Sequence, residues 1–516
     1  MFAKDYNVSS EKFVLVNENK ALHDKELVTK PVSYFRDAFN RFCKNKGAIV
    51  SAIIIGILVL YAIIAPIFSQ YTVSYTDNYY RYTLPKLPVP IGEVFDGCAQ
   101  KDDINETQFL YYYAIGQETG HNAIKNQKYK TKQFGSEKLY SFRLDSYEST
   151  GVVFKNVTVD EYKAIQAYQD KNNVQIIYPA TQLSLRPKLQ ADKNDANFWY
   201  ETISSGSSLT KPADLVIDSE GKLTGTNIYI PYDASRDAYT SKRIEGDVPQ
   251  YNYGRTVDNG YEIRVSYHEY YKYYHREVLK DGVKSALFLF GTNAQGKDLF
   301  TCLASGARFS FILAIVVATV NLIVGAIYGA IEGYYGGKAD LIMERISDIL
   351  SAVPFMIVIT LLKYKFEKTP QFIILFIAFF LTGWIGMSGT VRMQFYRFKN
   401  QEYVLAARTL GAKDLRIMFK HIFPNALGTI VTSCVLVIPG MIFSETSLSY
   451  LGIINLETGS LTSVGTLLAS GQKYLTQFPH MIVSPALFIC LLMLSFNLVG
   501  NGLRDAFNPS LRGTED

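Results

Sequence analysis

The sequence predicts an α-helical membrane protein with six transmembrane helices and an α+β domain inserted between the first two. Three observations predict it. Apolar runs at 49–68, 309–331, 341–362, 371–391, 426–443 and 480–500 are each close to the roughly 20 residues a helix needs to cross a bilayer. A polar stretch of more than 200 residues separates the first run from the second, enough to bury a core of its own. Basic residues also cluster beside particular runs, which orients the chain, because cytoplasmic loops carry an excess of Lys and Arg. At 516 residues the chain exceeds one typical domain, and its mean hydropathy near zero averages two unlike regions.

Residues 1–48 read as a cytoplasmic segment. Within it Phe35, Phe39 and Phe42 fall at i, i+4 and i+7 among Arg36, Arg41, Lys44 and Lys46, a basic amphipathic helix suited to a membrane surface. The first apolar run begins only near Ile49 and is long enough to span, so the start of the chain is not read as a signal peptide. Four basic residues precede that span, which puts its start in the cytoplasm and residues 69–286 outside. Net charge +5 is modest and belongs to cytoplasmic loops rather than to a nucleic-acid face. The five cysteines, Cys43, Cys98, Cys302, Cys434 and Cys490, have no CxxC spacing and no metal-ligand pattern. They read as isolated thiols, with a Cys98–Cys302 pairing left open.

The insertion holds 26 of the 37 tyrosines, including Tyr111–Tyr113 and Tyr270, Tyr271, Tyr273 and Tyr274. Such rings suit an interface, and they suit a core equally well. Strands are expected at Gly151–Val159, Val174–Tyr178 and Gly260–Tyr267, where Ile263, Val265 and Tyr267 alternate. A hairpin is expected around Gly221, and Thr158 with Glu161 marks a capping box before a short helix.

Gly291 to Lys297 spells G-x-x-x-x-G-K and imitates a phosphate-binding loop. Asp298 follows where a Ser or Thr should ligand magnesium, and a carboxylate there repels phosphate, so the nucleotide reading fails. In the second span Gly325, Gly329 and Gly333 repeat at G-x-x-x-G spacing for close helix packing, within the subunit or between subunits. Asn321 in that span and Glu445 near the outer end of the fifth are translocation-path candidates, since a carboxylate inside a bilayer costs roughly 2.5–3.5 kcal/mol without a partner. The turn with Lys363, Lys365 and Lys368 runs against the charge rule, and the more basic stretch from Arg392 to Lys420 outweighs it. His421 stands apart from any His, Cys or carboxylate cluster in the sequence and reads as structural.

That basic stretch, from Lys399 to Asn425, carries the sharpest signal. Val404 and Ala407, then Leu415, Met418 and Phe419, fall at helical spacing on either side of Gly411. Two short helices joined at a glycine follow from that. EYVLAARTLGA…HIFPN resembles the EAA loop of ABC-importer membrane subunits, in the version of the C-type permease subunit of oligopeptide and dipeptide importers. YFRDAFNRFCKNKGA, GTNAQGKDLF…GAR, SLSYLGI and NGLRDAFNPSLRG resemble further segments of that family, in its order. Departures are Asn293, Lys297, Asn501, Asn508, and Val464-Gly465 where the family has Trp-Gly. The resemblance covers 30–68 and 287–513 and leaves the insertion out.

The resemblance implies a type I ABC-importer core. On it, 49–68 is the first transmembrane helix, 69–286 the extracytoplasmic insertion, 287–506 the remaining permease core with a cytoplasmic coupling loop at 399–421, and 507–516 a cytoplasmic tail. Glu402, Tyr403, Ala406, Ala407, Arg408, Gly411 and Ala412 would couple the chain to an ATPase subunit. The partners implied are a second homologous permease, two ATP-binding subunits and an extracellular solute-binding (lipo)protein delivering short peptides in a bacterial cytoplasmic membrane; nucleic acid is not among them. No catalytic residue, metal ligand or cofactor is expected on this chain, with ATP and magnesium on the partners. The alternatives are another cargo such as a nickel complex, or a receptor or adhesion protein on a degenerate permease frame.

Overall fold

The computed structural model describes residues 34–88, 95–178, 189–191, 195–201, 215–224, 239–245, 248–457 and 461–507. Asn508 and Arg512 of the C-terminal motif and the later part of the expected Gly221 hairpin lie outside these. The chain opens with α1 (Tyr34–Lys44) and α2 (Lys46–Phe68), whose first turn is capped by the Asn45 side chain. Phe39 points away from the molecule, while Ala48 and Phe42 sit over Gly502 near the far end of the chain.

Among its described residues the insertion has two main cores. In the first, β1 (Cys98–Asn105), β2 (Ile124–Phe134) and β3 (Glu137–Asp145) form an antiparallel sheet in the order β1-β3-β2, packed on α3 (Glu106–Thr119). Period-two alternation turns Tyr140, Phe142 and Leu144 of β3 inward against Phe109 and Ile115 of α3. The second core is built on β4 (Val152–Val157), α4 (Val159–Asn172) and β5 (Ile177–Tyr178). Short hairpins β6 (Leu189–Ala191) with β7 (Trp199–Glu201) and β8 (Val216–Ile217) with β9 (Leu223–Thr224) come between. The sheet is completed by β10 (Tyr239–Glu245), β11 (Val248–Val257) and β12 (Gly260–Ser266), in the order β10-β11-β12-β4 with β5 also on β12.

Thr158 caps α4 by accepting from the Glu161 amide. α5 (Tyr267–Tyr273) continues directly from β12, and its tyrosines turn inward: Tyr267, Tyr270, Tyr271 and Tyr273 join Tyr71, Tyr80, Tyr147 and Phe288 in one buried cluster. Of the two uses open to clustered tyrosines, these residues serve the core.

Among the described residues, five helices are long and apolar enough to span a membrane: α2, α6 (Leu299–Tyr335), α9 (Gln371–Phe398), α11 (Asp414–Tyr450) and α13 (His480–Phe507). The expected third span is not one straight helix. α7 (Gly337–Ser351) and α8 (Phe355–Lys365) meet at a bend of 72°. Pro354 causes it, since it has no N–H to continue the ladder and it pushes Val353 out of helical geometry. Two short helices complete the set, α10 (Glu402–Thr409) and α12 (Val464–Gln472), the latter opened by a Ser463–Thr466 capping box. At 37 residues α6 is about 55 Å long, joining the end of the bundle that meets the insertion to the end that holds α10.

Candidate functional site

α10 and the start of α11 form a platform fixed on one face. Val404, Ile417, Met418 and Ile422 are buried against Tyr334, Val391 and Phe395 at the ends of α6 and α9. Between the two helices the Gly411 amide donates to the Arg408 carbonyl (3.0 Å) and the Ala412 amide to the Ala407 carbonyl (3.1 Å). That is the Schellman pattern, which needs a left-handed residue after the helix, and Gly411 supplies it at φ +81°. No neighbour stands within 4 Å of where a Gly411 Cβ would be, so backbone conformation alone calls for glycine here.

Polar contacts tie the platform to the spans. The Tyr334 hydroxyl donates to Asp414 Oδ1 (2.6 Å), and Arg408 reaches the same hydroxyl (3.4 Å) and lies over the Tyr334 ring. Lys399 Nζ donates to the Gly333 carbonyl (2.9 Å), and Asn425 Nδ2 to the Tyr403 hydroxyl (3.2 Å). Burial lowers the Lys399 ammonium and raises the Tyr403 hydroxyl from their ordinary values. Beside them Arg392 of α9 bonds Asp340 (2.7 Å) and Glu344 (2.8 Å) of α7 and approaches Glu332 of α6 (3.5 Å). The Arg392 cluster and the Tyr334–Asp414 contact escaped the sequence reading, because their partners are dozens of residues apart.

The other face is open. Glu402, Tyr403, Ala406, Arg408 and Gly411 are exposed, and Ala407 and Ala412 half-buried. Alongside them Leu405, Leu410, Leu415 and Phe419 present apolar surface, Leu410 at 88% exposure. An apolar patch held on a braced backing, with Lys413, Arg416 and Lys420 also exposed on the same segment, is what a docking surface requires.

The remaining sites named from sequence are packed inside. A Cβ at Gly325, Gly329 or Gly333 would come within 2.8 Å of α9, the closest being 2.2 Å from the Ser388 carbonyl oxygen at Gly329, so this seam joins α6 to α9 within the subunit. Asn321 is buried over Gly383, its Nδ2 3.4 Å from the Phe379 carbonyl oxygen. Glu445 is buried too, accepting from Ser310 (2.8 Å) and Ser449 (3.2 Å). The phosphate-loop imitation is structural: Lys297 pairs with Glu457 (3.2 Å), and Asp298 caps α6 by accepting from the Thr301 amide (2.9 Å). All five cysteines are free thiols, Cys98 and Cys302 included. His421 is half-buried among the platform residues.

Residues 322–513 match the family model described as the binding-protein-dependent transport system inner membrane component. Residues 33–86 match that of the N-terminal TM domain of oligopeptide transport permease C, and 87–321 lie outside both. The chain is similar to the oligopeptide transport system permease protein OppC of Bacillus subtilis (strain 168), 47% identical over 223 residues, 43% of this chain and 72% of that protein. It is similar also to the dipeptide transport system permease protein DppC of Bacillus subtilis (strain 168), 39% identical over 229 residues, 44% and 70%. Among solved structures it is similar to a chain of the MetNI methionine ABC transporter at 15% identity and TM-score 0.32, covering 40% of this chain and 96% of that one.

Proposed function

The chain belongs to the family of C-type permease subunits of oligopeptide and dipeptide ABC importers, and we propose that it carries short peptides across a bacterial cytoplasmic membrane, driven through the α10–α11 platform. The relatives' names favour peptides over a nickel complex, and nothing in them favours a receptor on a degenerate frame. The complete machine pairs this subunit with a second permease and two ATP-binding subunits, and an external solute-binding protein delivers the cargo. The platform and both termini face the cytoplasm, and the insertion faces out. ATP and magnesium sit on the ATPase partners; this chain does no chemistry of its own.

One observation carries the reading. The platform is braced against α6 and α9 on one face and offers Tyr403, Leu405, Leu410, Leu415 and Phe419 on the other. When ATP closes the ATPase dimer, a partner gripping that face displaces the platform. The Tyr334–Asp414 and Lys399–Gly333 contacts pass the displacement to the end of α6, a lever that reaches the insertion end of the bundle. Transport then needs only that ATP and peptide favour different states of the spans. Asn321 and Glu445, held within the bundle, are proposed to stabilise its packing in one of those states.

The test reconstitutes the complex with Gly411→Pro or Arg408→Glu. Proline cannot adopt φ +81°, so the Schellman turn and the angle of the platform are lost. Both variants should reach the membrane and lose peptide uptake, with ATP hydrolysis no longer responding to the loaded binding protein. Uptake at the wild-type rate in both would refute coupling through this loop.

A further inference from the structure

At the seam between the two main cores of the insertion, two histidines meet two carboxylates, Glu148 and Glu269, drawn from three segments of the chain. His121 follows α3, Glu148 lies in the turn after β3, and His268 and Glu269 are in α5. Glu148 Oε1 is 2.9 Å from His268 Nδ1, and Glu148 Oε2 is 4.0 Å from His121 Nδ1. The imidazoles lie against each other, centroids 4.2 Å apart and planes 31° apart. At their far edges, Glu269 Oε1 is 3.2 Å from His121 Nε2 and 3.8 Å from His268 Nε2, and it also accepts from Lys272 (2.9 Å). One donor atom each from His121, Glu148 and His268 lies within 4.8 Å of the others.

We propose that His121, Glu148 and His268 form a site for a divalent transition metal of the zinc class, with Glu269 orienting the imidazoles from behind. Two imidazoles and a carboxylate are a donor set zinc accepts, and they leave one position for water. With metal–ligand bonds of about 2.0–2.2 Å, tetrahedral donors stand roughly 3.3 Å apart. Taking one donor atom from each residue, the three lie within 4.8 Å of one another, so side-chain shifts of about 1.5 Å would close the site. Calcium and magnesium prefer oxygen cages and fit poorly. A ligating imidazole characteristically gives its other N–H to a carboxylate; Glu269 stands within hydrogen-bond reach of His121 Nε2 (3.2 Å) and close beside His268 Nε2 (3.8 Å). The four side chains are only partly buried, so an ion can enter from solvent.

The position gives the ion a purpose. Glu118 and Arg264, three and four residues before the histidines in their own segments, form a buried ion pair across the same seam, with Nη1–Oε1 and Nη2–Oε2 both at 3.0 Å. That pair joins the end of α3 to β12 permanently. A metal alongside it is a second clasp whose strength follows metal supply.

The full chain, purified in detergent without a histidine tag and stripped by a chelator, is titrated with Zn²⁺ and with Co²⁺ as a coloured substitute. One Zn²⁺ per chain is expected, along with visible Co²⁺ d–d absorption and a higher unfolding temperature with metal. Glu269→Gln should keep the stoichiometry and weaken binding about 10–100-fold. His268→Ala and His121→Gln should abolish binding. No stoichiometric binding by the wild-type chain overturns the proposal and leaves an ion-paired histidine cluster. So does binding that survives both histidine variants, or an equal response to Mg²⁺.

Discussion

Leu410 on the platform and Tyr271 in the insertion are both large side chains with apolar surface, and the molecule uses them in opposite ways. Leu410 is 88% exposed on a helix end whose other face is anchored; Tyr271 is 2% exposed in a cluster of its own kind. In the platform the polar contacts of Asp414, Arg408 and Lys399 face inward, and Leu405, Leu410 and Leu415 face out. In the insertion the aromatic rings face in, and their hydroxyls find partners there, as Tyr271 does with Tyr71 (3.1 Å) and Tyr267 with Asp77 (2.6 Å). Tyrosine abundance is therefore a poor sign of an interface. A large aliphatic side chain left in solvent on a braced backbone is a better one.

The comparison breaks first at Tyr271. Tyr271→Ala should destabilise the insertion by about 3–5 kcal/mol, since it removes a buried ring and one of the two donors to the Tyr71 hydroxyl, leaving only the Leu287 amide. The measurement is thermal unfolding of the purified chain, with protease sensitivity of residues 95–283 as the local readout. Wild-type unfolding with impaired docking of a binding protein would mean the ring is an interface residue after all.

A smaller effect is expected in the bundle between the two regions. Gly329→Ala puts a Cβ 2.2 Å from the Ser388 carbonyl oxygen, so α6 and α9 must part. Overpacking of this kind costs about 1–3 kcal/mol, seen as a lower unfolding temperature in detergent. Since α6 links the platform to the insertion end, transport should fall further than the stability loss accounts for. A variant as stable and active as wild type would mean the seam does not hold the lever.

Much of this architecture is legible in the sequence because its causes are local. A run of about 20 apolar residues is enough to read a span. Alternation is enough to read β12, and a glycine between two helical periods is enough to read the Gly411 turn. Pro354 was visible too, but the apolar run continues through it, and hydropathy does not register a missing N–H. What stayed hidden depends on residues far apart in the chain. β12 pairs with β4 about a hundred residues earlier, Arg264 with Glu118, His268 with Glu148, and Arg392 with carboxylates of α6 and α7. No periodicity records such pairings. Asn321 and Glu445 drew notice because polar groups in spans are costly, and the bonds that offset the cost lie on other helices. The platform's outer face was partly legible: the motif marked Glu402 to Ala412, while Leu410 shows its exposure only once Val404 is seen to be buried.

Leu410→Ala should have the smallest effect on the fold and still be informative. The side chain touches little, so the stability change should stay within about 0.5 kcal/mol. If the patch is a docking surface, truncating its most exposed member removes apolar area only from the complex. ATPase subunits should then bind the permease more weakly, and peptide-stimulated hydrolysis should fall while the unfolding temperature holds. Leu415→Ala, at 67% exposure, should behave in the same way, whereas Val404→Ala, at 0%, should lower the unfolding temperature as well. That split between neighbours on one short helix pair separates a surface built for a partner from one that is merely uncovered. Should Leu410→Ala and Leu415→Ala leave ATPase binding untouched, the contrast between platform and insertion would describe only exposure, and the docking face would have to lie elsewhere on the bundle.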